Sequence, residues 1–100
     1  MNNPALNKII HEPARLKIMV LLASSHTESI PFTQIKQTLD FTAGNLSIQL
    51  KTLEKAGYIG ITKQFADNKP KTDISITKKG KAELIAYMTG LEDLLSKIRM

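Results

Sequence analysis

The sequence predicts a mostly helical α+β fold, in which a helix-turn-helix precedes a two- or three-stranded antiparallel hairpin and a long C-terminal helix. Apolar residues recur at helical spacing in the first half of the chain, alternate with polar residues in 58–65 and 72–77, and then return to helical spacing. A chain of 100 residues has the length of one domain. We expect an N-terminal helix at 4–12, the helix-turn-helix and hairpin at 13–77, and the C-terminal helix at 78–100.

Prolines mark the starts of the first two helices. Asn3 can cap a short helix that has Pro4 at its first position. The apolar face of this helix consists of Leu6, Ile9 and Ile10. Pro13 then ends it and can begin the next helix at its own first turn. Because residues 14–24 are apolar nearly all round, they predict a central core helix.

A short strand and a two-turn helix come next. Residues 24–29 are polar and predict a loop. Ile30 can add a short strand, which Pro31 keeps at the edge of the sheet because proline has no N–H to donate. The helix that follows has an apolar face at helical spacing, made of Phe32, Ile35 and Leu39.

A tight connection and a glycine delimit the next helix. Asp40 and Phe41 leave room only for a turn, and Thr42 can cap the helix that begins there. Gly57 can end it in the left-handed conformation, which glycine adopts at low cost. The inward stripe of this helix consists of Leu46, Leu50 and Leu53. Two helices joined in this way form a helix-turn-helix, a motif whose second helix can enter the major groove of DNA.

Alternation with period two predicts that the hairpin consists of two half-buried strands. Ile59, Ile61 and Phe65 share one face of the first strand, and Ile74 and Ile76 share one face of the second. The six polar residues between the strands, ADNKPK at 66–71, predict a protruding tip.

The C-terminal helix has an apolar seam. Thr77 can cap the helix, and Gly90 inside it costs about 1 kcal/mol relative to alanine, which indicates a close approach or a kink. The seam can pack on its own chain or on a second copy, and a small domain that ends in such a helix more often uses part of the seam to dimerise. The predicted dimer interface consists of Leu84, Met88, Leu91, Leu95 and Ile98.

Basic charge is confined to one region. Eight lysines and three acidic residues lie between Thr42 and Lys81, whereas the rest of the chain has six of each sign, so this region carries the formal net charge of +5. Such confinement is typical of a surface that meets phosphate. At the tip, Lys69-Pro70-Lys71 holds two cations at a fixed spacing, which suits a minor groove or phosphates. A loop kept polar for solubility explains the tip equally well.

The outward face of the helix after Thr42 carries groups that can contact DNA. Amide and hydroxyl groups can pair with base edges, and Ile48 can touch a thymine methyl. Gly44 would let the backbone approach closely. Considered alone, the helix is explained more simply by an ordinary solvated face. The basic hairpin that follows favours DNA contact instead, because core packing does not require such a hairpin. The outward residues are Thr42, Gly44, Asn45, Ser47, Ile48, Lys51, Thr52 and Lys55.

Other kinds of function find no support in the sequence. The absence of cysteine excludes disulfides and thiolate zinc sites. His11 and His26 have no metal-ligand spacing, and neither a nucleophile elbow nor a phosphate-binding glycine loop is present. We therefore expect no enzyme, metal or cofactor. Without a signal peptide or a long apolar run, the expected location is the cytoplasm, with no membrane partner.

The sequence resembles the small winged helix-turn-helix regulators of the MarR/ArsR-like superfamily. The resemblance covers about residues 10–90 and is carried by HEPARL at 11–16, FTQI at 32–35, GNLSIQLKTLEKAGYI at 44–59, KPKT at 69–72 and ITKKG at 76–80. It implies a winged helix with a C-terminal dimerisation helix, acting as a homodimer on a near-palindromic operator in double-stranded DNA.

The resemblance also implies roles for particular residues. Base and phosphate contacts would come from Thr42, Gly44, Asn45, Ser47, Ile48 and Lys51, and wing contacts from Lys69, Lys71 and Thr72. Metal sensing is not expected, because the cysteine and histidine clusters of metal-sensing relatives are missing. Neither the operator nor a small-molecule effector can be read from the chain. The alternative is a winged-helix module for protein–protein contact without DNA binding, which would not need the lysines of the helix and wing.

Overall fold

The computed structural model describes residues 6–99, which form five helices and three strands. The strands make one antiparallel sheet in the order β1-β3-β2. This architecture is the predicted mostly helical α+β fold with a helix-turn-helix and a three-stranded wing sheet. In chain order the elements are α1 (Lys8–His11), α2 (Pro13–Ser24), β1 (Ile30–Pro31), α3 (Phe32–Leu39), α4 (Ala43–Lys55), β2 (Ile59–Ala66), β3 (Lys69–Ile76) and α5 (Lys78–Ile98).

Within the described residues, the N-terminal helix α1 runs from Lys8 to His11. The Asn7 side chain caps α1 by accepting from the N–H groups of Ile9 and Ile10, at 2.9 and 3.2 Å. The predicted start at Asn3 and Pro4 lies outside the described residues. The break before Pro13 is confirmed, and there the Glu12 carboxylate caps α2 by accepting from the Arg15 N–H at 3.0 Å.

Helix α2 is buried on one side only. Ile18, Met19 and Leu22 are buried, whereas Val20 is 39% exposed. The prediction that this is a central core helix was therefore only partly correct, because one side of the helix is exposed. A chain of this size has too few elements to cover the whole circumference of one helix, so an apolar residue on its outer side stays in contact with water.

The core lies between the helices and the sheet. Ile74, in the central strand β3, is fully buried and is the register partner of both Ile30 in β1 and Ile61 in β2. The inward leucines of α4 pack in the same cluster, as predicted. The buried residues are Ile10, Ile18, Met19, Leu22, Ile30, Ile35, Leu46, Leu50, Leu53, Tyr58, Ile59, Ile74, Leu84 and Tyr87.

The turn and caps of the helix-turn-helix are those predicted. Asp40 ends α3 in the left-handed conformation, with φ of 57°. The Thr42 hydroxyl caps α4 by accepting from the Asn45 N–H at 3.1 Å. Gly57 follows α4 with φ of 83°, a value that glycine adopts without strain. Local chemistry therefore fixes both ends of the helix whose outward face carries the candidate DNA contacts.

The wing is the hairpin formed by β2 and β3, and its turn is tighter than predicted. Asp67 and Asn68 alone form it, both with positive φ, and Ala66 pairs with Lys69. Such two-residue turns match the twist of the strands, and Asp and Asn tolerate the left-handed conformation. Lys69, Pro70 and Lys71 therefore belong to β3 and not to a loop. The sheet tolerates Pro70 because β1 pairs only with Asp73 and Ile74, which leaves β3 an edge strand at the proline.

The base of the wing is closed onto α5, and we name this contact the wing-base joint (Gly57, Tyr58, Thr77 and Gly80). The Thr77 N–H donates to the Tyr58 carbonyl at 3.0 Å. The Thr77 hydroxyl donates to the Gly57 carbonyl at 2.7 Å and accepts from the Gly80 N–H at 2.9 Å, which confirms Thr77 as the cap of α5. Gly80 is buried, and a Cβ there would lie 2.1 Å from the Tyr58 carbonyl oxygen.

Helix α5 packs on the core through its N-terminal half. Leu84 and Tyr87 are buried, and a Cβ on Gly90 would lie 3.3 Å from the Leu6 side chain. The glycine thus marks a close approach, which is one of the two alternatives that its position predicted. Within residues 6–99, none of the helices combines the length and the apolar character that crossing a bilayer requires.

The packing of the wing-base joint predicts that adding one methyl group at Gly80 destabilises the protein strongly. Gly80→Ala should lower the free energy of unfolding by about 2 kcal/mol or more, because its Cβ overlaps a backbone carbonyl that cannot move without opening the wing. Gly44→Ala is the matched control, since a Cβ there has no neighbour within 4 Å among the described residues. The control should be neutral or stabilising by up to about 1 kcal/mol. Urea denaturation measures both, and equal midpoints for the two variants would contradict the account.

Candidate nucleic-acid interface

The outward face of α4 is available for contact along most of its length. Of the eight predicted outward residues, all are exposed except Thr52, and Ile48 is 64% exposed. The Thr52 hydroxyl donates to the Ile48 carbonyl at 3.3 Å, so it is engaged with its own helix. The buried leucine stripe on the opposite side holds this face outward. The structure therefore keeps the predicted set together and makes Thr52 its least accessible member.

Two side chains outside the predicted set are tied to this face. Gln49 donates through Nε2 to Oδ1 of Asn45 at 3.1 Å. Arg15 of α2 donates through Nη1 to Oε1 of Gln49 at 2.9 Å. The sequence pattern missed both, because Gln49 lies beside the inward stripe and Arg15 is 34 positions away in the chain.

The wing has two faces, and the register separates the predicted wing residues. Lys63 pairs with Thr72, and Phe65 pairs with Pro70, so these four residues share one face. Gln64 and Lys71 pair on the opposite face, as do Ala66 and Lys69. The sequence prediction grouped Thr72 with Lys69 and Lys71. The structure puts Thr72 on the other face because all of these residues lie in a strand, where successive side chains point to opposite sides.

An open groove of about 640 Å³ runs between α4 and the wing. Lys51 lies on the helix wall and Lys63 on the strand wall, so cations flank the groove on both sides. Lys63 was absent from the predicted site, although it lies two residues after the inward Ile61 and alternation alone places it on that face. The lining residues are Phe32, Ser47, Leu50, Lys51, Glu54, Ile61, Lys63 and Thr72.

The opposite face of the wing carries a small polar cluster. Gln64 donates to Oδ2 of Asp73 at 3.0 Å, and the Lys71 ammonium lies 4.0 Å from the same oxygen. The Lys71 side chain is about half exposed, and an ion pair of this kind contributes about 0–1 kcal/mol. Lys71 can therefore leave Asp73 for a phosphate at low cost.

The far end of the wing is exposed on both faces. Phe65 is 75% exposed, so the prediction that it lies on a half-buried face was wrong. Ile59 and Ile61 at the near end of the same face pack on the core, but β2 then extends past the helices. Phe65 and its register partner Pro70 therefore form an apolar patch near the tip of the wing, and Lys63, Lys69 and Lys71 lie close to them in the sequence.

Neither histidine belongs to a group of side chains that could hold a metal ion among the described residues. The His11 Nδ1 lies 2.9 Å from the Tyr87 hydroxyl, with the ring centroids 5.8 Å apart, so this side chain packs α1 against α5. Across residues 6–99, no three side chains among His, Cys, Asp and Glu come together in a way that could hold a metal ion.

The predicted seam of α5 is divided between two environments. Leu84 is buried in the core of its own chain, and Met88 and Leu91 are half-buried against that core. Leu95 is 38% exposed and Ile98 is 80% exposed. Leu84 consequently offers little surface to a partner, and the part of the seam that stays open belongs to the last turns of α5.

Known proteins share both the sequence and the architecture. The family described as "Winged helix DNA-binding domain" matches residues 14–95. An uncharacterized protein of Methanocaldococcus jannaschii is 34% identical over 91 residues, which are 91% of this chain and 97% of that protein. The structure of a transcriptional regulator homologue from Pyrococcus horikoshii OT3 has a TM-score of 0.84 and 33% identity, over 92% of this chain and 89% of that chain.

A more distant structure shares the fold. It is described as a transcriptional regulator of the MarR family from Enterococcus faecalis V583 and has a TM-score of 0.72 at 22% identity, over 92% of this chain and 84% of that chain. The matched family is one of DNA-binding domains and not of enzymes, which confirms the expectation of a non-enzymatic protein. Because the match covers most of its length, the chain belongs to the family of winged helix DNA-binding domains.

Proposed function

We propose that the protein is a transcriptional regulator that binds double-stranded DNA in a sequence-dependent manner, as a homodimer on a near-palindromic operator. The observation that carries this proposal is the groove between α4 and the wing, with Lys51 on one wall and Lys63 on the other. Two lysines that face one open groove repel each other in the free protein. They are stabilised together when a polyanion lies along the groove.

The helix and the wing would then have different tasks. The exposed N-terminal half of α4 enters the major groove, where Asn45 and Ser47 reach base edges and Ile48 packs on a thymine methyl. Lys51 and Lys63 contact phosphates beside the groove, and Lys69 and Lys71 contact the backbone from the other face of the wing. Phosphate contacts fix the register, and α4 supplies the discrimination between sequences.

A protein–protein module without DNA binding is the competing function. It would explain the exposed Ile48 and Phe65, since protein interfaces are enriched in apolar and aromatic side chains. It does not explain the lysines, because lysine is depleted in such interfaces relative to the rest of the surface. The lysines on both groove walls therefore favour DNA.

The open end of α5 supports a homodimer. The helix has 21 residues and is about 31 Å long, and its apolar stripe continues past the core of its own chain. Leu94, Leu95 and Ile98 would bury their exposed surface against the same residues of a second copy. Such a dimer would set two α4 helices about 34–36 Å apart, which is one turn of DNA.

Salt dependence tests the groove lysines. Lys63→Ala should reduce the slope of log K against log salt by about 0.9 on any duplex, because one phosphate contact is lost. Lys17→Ala removes the same charge from the exposed side of α2 and is the matched control, with an expected slope equal to that of the wild type. Fluorescence anisotropy between low and moderate salt measures the slopes. Parallel lines for the wild type and Lys63→Ala would exclude the wing groove as a DNA contact.

Base reading is tested at Asn45. On a duplex selected from a random pool, Asn45→Ala should cost about 1–3 kcal/mol of binding free energy, with a smaller loss on unselected DNA. Gln37→Ala removes an exposed amide from α3 and should change neither affinity. Equal losses on selected and unselected DNA would reduce Asn45 to a residue that positions the protein without reading sequence.

The dimer is tested at the end of α5. Leu95→Asp with Ile98→Asp should give monomers that bind DNA weakly, because unpaired charges would enter the proposed interface. Ile85→Asp is the control, since Ile85 is 61% exposed on the same helix but lies off the seam. Analytical ultracentrifugation at micromolar concentration reports the mass. A monomeric wild type, or a dimeric double variant, would show that the seam does not join two chains.

A further inference from the structure

Arg15, Gln49 and Asn45 form a chain of hydrogen bonds that runs from the N-terminal helices to the exposed face of α4. Arg15 donates through Nε to the Ile9 carbonyl at 2.7 Å and through Nη1 to Oε1 of Gln49 at 2.9 Å. Gln49 donates through Nε2 to Oδ1 of Asn45 at 3.1 Å. Arg15 and Gln49 are half-buried, whereas Asn45 is exposed. The chain therefore begins at a backbone carbonyl and ends at a side chain proposed to meet a base.

The chemistry of arginine fixes the direction of every bond in this chain. A guanidinium has donors only, so the atom of Gln49 that faces Arg15 must be the amide oxygen. The amide nitrogen of Gln49 then faces Asn45 and requires an acceptor, which is Oδ1. The NH₂ group of Asn45 is consequently left at the exposed end. Without the arginine, both amides could turn over together at little cost, since either orientation of the pair keeps one hydrogen bond.

The arginine itself is held from two sides. Its Nε is bound to the carbonyl of Ile9, next to the buried Ile10 of α1, and its backbone N–H is bound by the Glu12 carboxylate that caps α2. A side chain anchored in this way loses little further freedom when it bonds to Gln49, and a charged donor gives a stronger bond than a neutral one. Arg15 can therefore hold the amide of Gln49 in one orientation.

We infer that Arg15 is a positioning residue for sequence recognition, which acts through Gln49 to present Asn45 to DNA as a hydrogen-bond donor. In the major groove such a donor matches the acceptors of guanine, the N7 of adenine or the O4 of thymine, and it is mismatched to the amino group of cytosine. The inference rests on the proposed reading of DNA by α4. It adds which hydrogen-bonding character the site selects and which distant residue sets it.

Two substitutions in this chain of hydrogen bonds test the inference. One should reverse the orientation of the Asn45 amide, and the other should release it. Gln49→Glu keeps an acceptor for Arg15 but has no N–H for Asn45, so Asn45 should turn and present its oxygen. Arg15→Met removes the donor that fixes the orientation, so Asn45 should present either group. Lys17→Met is the matched control for the lost charge on α2, and Gln37→Glu is the control for the added charge. Circular dichroism shows which variants are folded, and Gln49→Glu alone can decide the test if Arg15→Met is not.

Selection from a random duplex pool gives the DNA readout. The relevant base pair is the one whose preference disappears in Asn45→Ala. Wild type, Lys17→Met and Gln37→Glu should prefer an acceptor there by about fivefold or more. Gln49→Glu should shift the preference toward the amino group of cytosine or adenine, and Arg15→Met should flatten it. An unchanged preference in Gln49→Glu, or in folded Arg15→Met, would overturn the inference and leave the proposed DNA binding standing.

A second readout needs no DNA. In the amide NMR spectrum of the free protein, the side-chain NH₂ signals of Asn45 and Gln49 should move in Arg15→Met and stay in place in Lys17→Met. Unmoved signals in a folded Arg15→Met variant would show that the chain of hydrogen bonds does not act as a unit. A wild type that binds no duplex would instead remove the proposed function, and the inference with it.

Discussion

The hydrogen bonds of the wing-base joint hold the end of α4, both strands of the wing and the start of α5 at one point. Thr77 makes three of them, to Gly57, Tyr58 and Gly80, over distances of 2.7 to 3.0 Å. Because Gly80 has no Cβ, the first turn of α5 can rest against the Tyr58 carbonyl. The directions of the wing and of α5 relative to α4 therefore depend on a few backbone atoms and on one side-chain hydroxyl, that of Thr77.

The N-terminal region is tied to the same point. Asn7 donates to the Tyr58 hydroxyl at 2.8 Å and to the Glu83 carboxylate at 3.1 Å, while its oxygen caps α1. Helix α1 and the first turns of α5 are thereby fixed beside the wing base. From there Arg15 reaches across to Gln49 on α4. The elements that do not face the groove thus hold in place the helix and wing that do.

Burial at the base contrasts with exposure at the ends. Burial along β2 falls from Ile59, which is buried, to Phe65, which stands in water. Along α5 it falls in the same way from Leu84 to Ile98. A small domain cannot cover such extensions by itself, so each is available to a partner. The basic surroundings of the wing suit DNA, and the apolar end of α5 suits a second copy of the chain.

The sequence predicted helices α2 to α5, the edge strand and the caps of α4 and α5 because each has a local cause. Thr42, Gly57 and Thr77 act on their nearest neighbours, and the stripe of Leu46, Leu50 and Leu53 follows from helical period alone. The wing turn was mispredicted because Pro70 and its lysines suggested a loop, whereas Asp67 and Asn68 suffice for a two-residue turn.

Parts of the site could not be predicted by local rules. The link from Arg15 to Gln49 depends on how two helices pack, and spacing within either helix contains no signal for it. The exposure of Phe65 depends on where the helices end in space, which the alternation of β2 does not encode. Lys63 could have been predicted, because the two-residue period of a strand puts it on the same face as Ile61. The prediction of the wing contacts named only the residues near the tip.

We propose that DNA binds along α4 and the groove between α4 and the wing. The most direct test is an amide NMR titration of the intact protein with a short duplex at low salt. If DNA binds there, the signals of residues 42–55 and of the Lys63–Thr72 face of the wing should shift first, and added salt should reverse the shifts. Shifts confined to α2 and the end of α5, or no shifts at any duplex concentration, would contradict it.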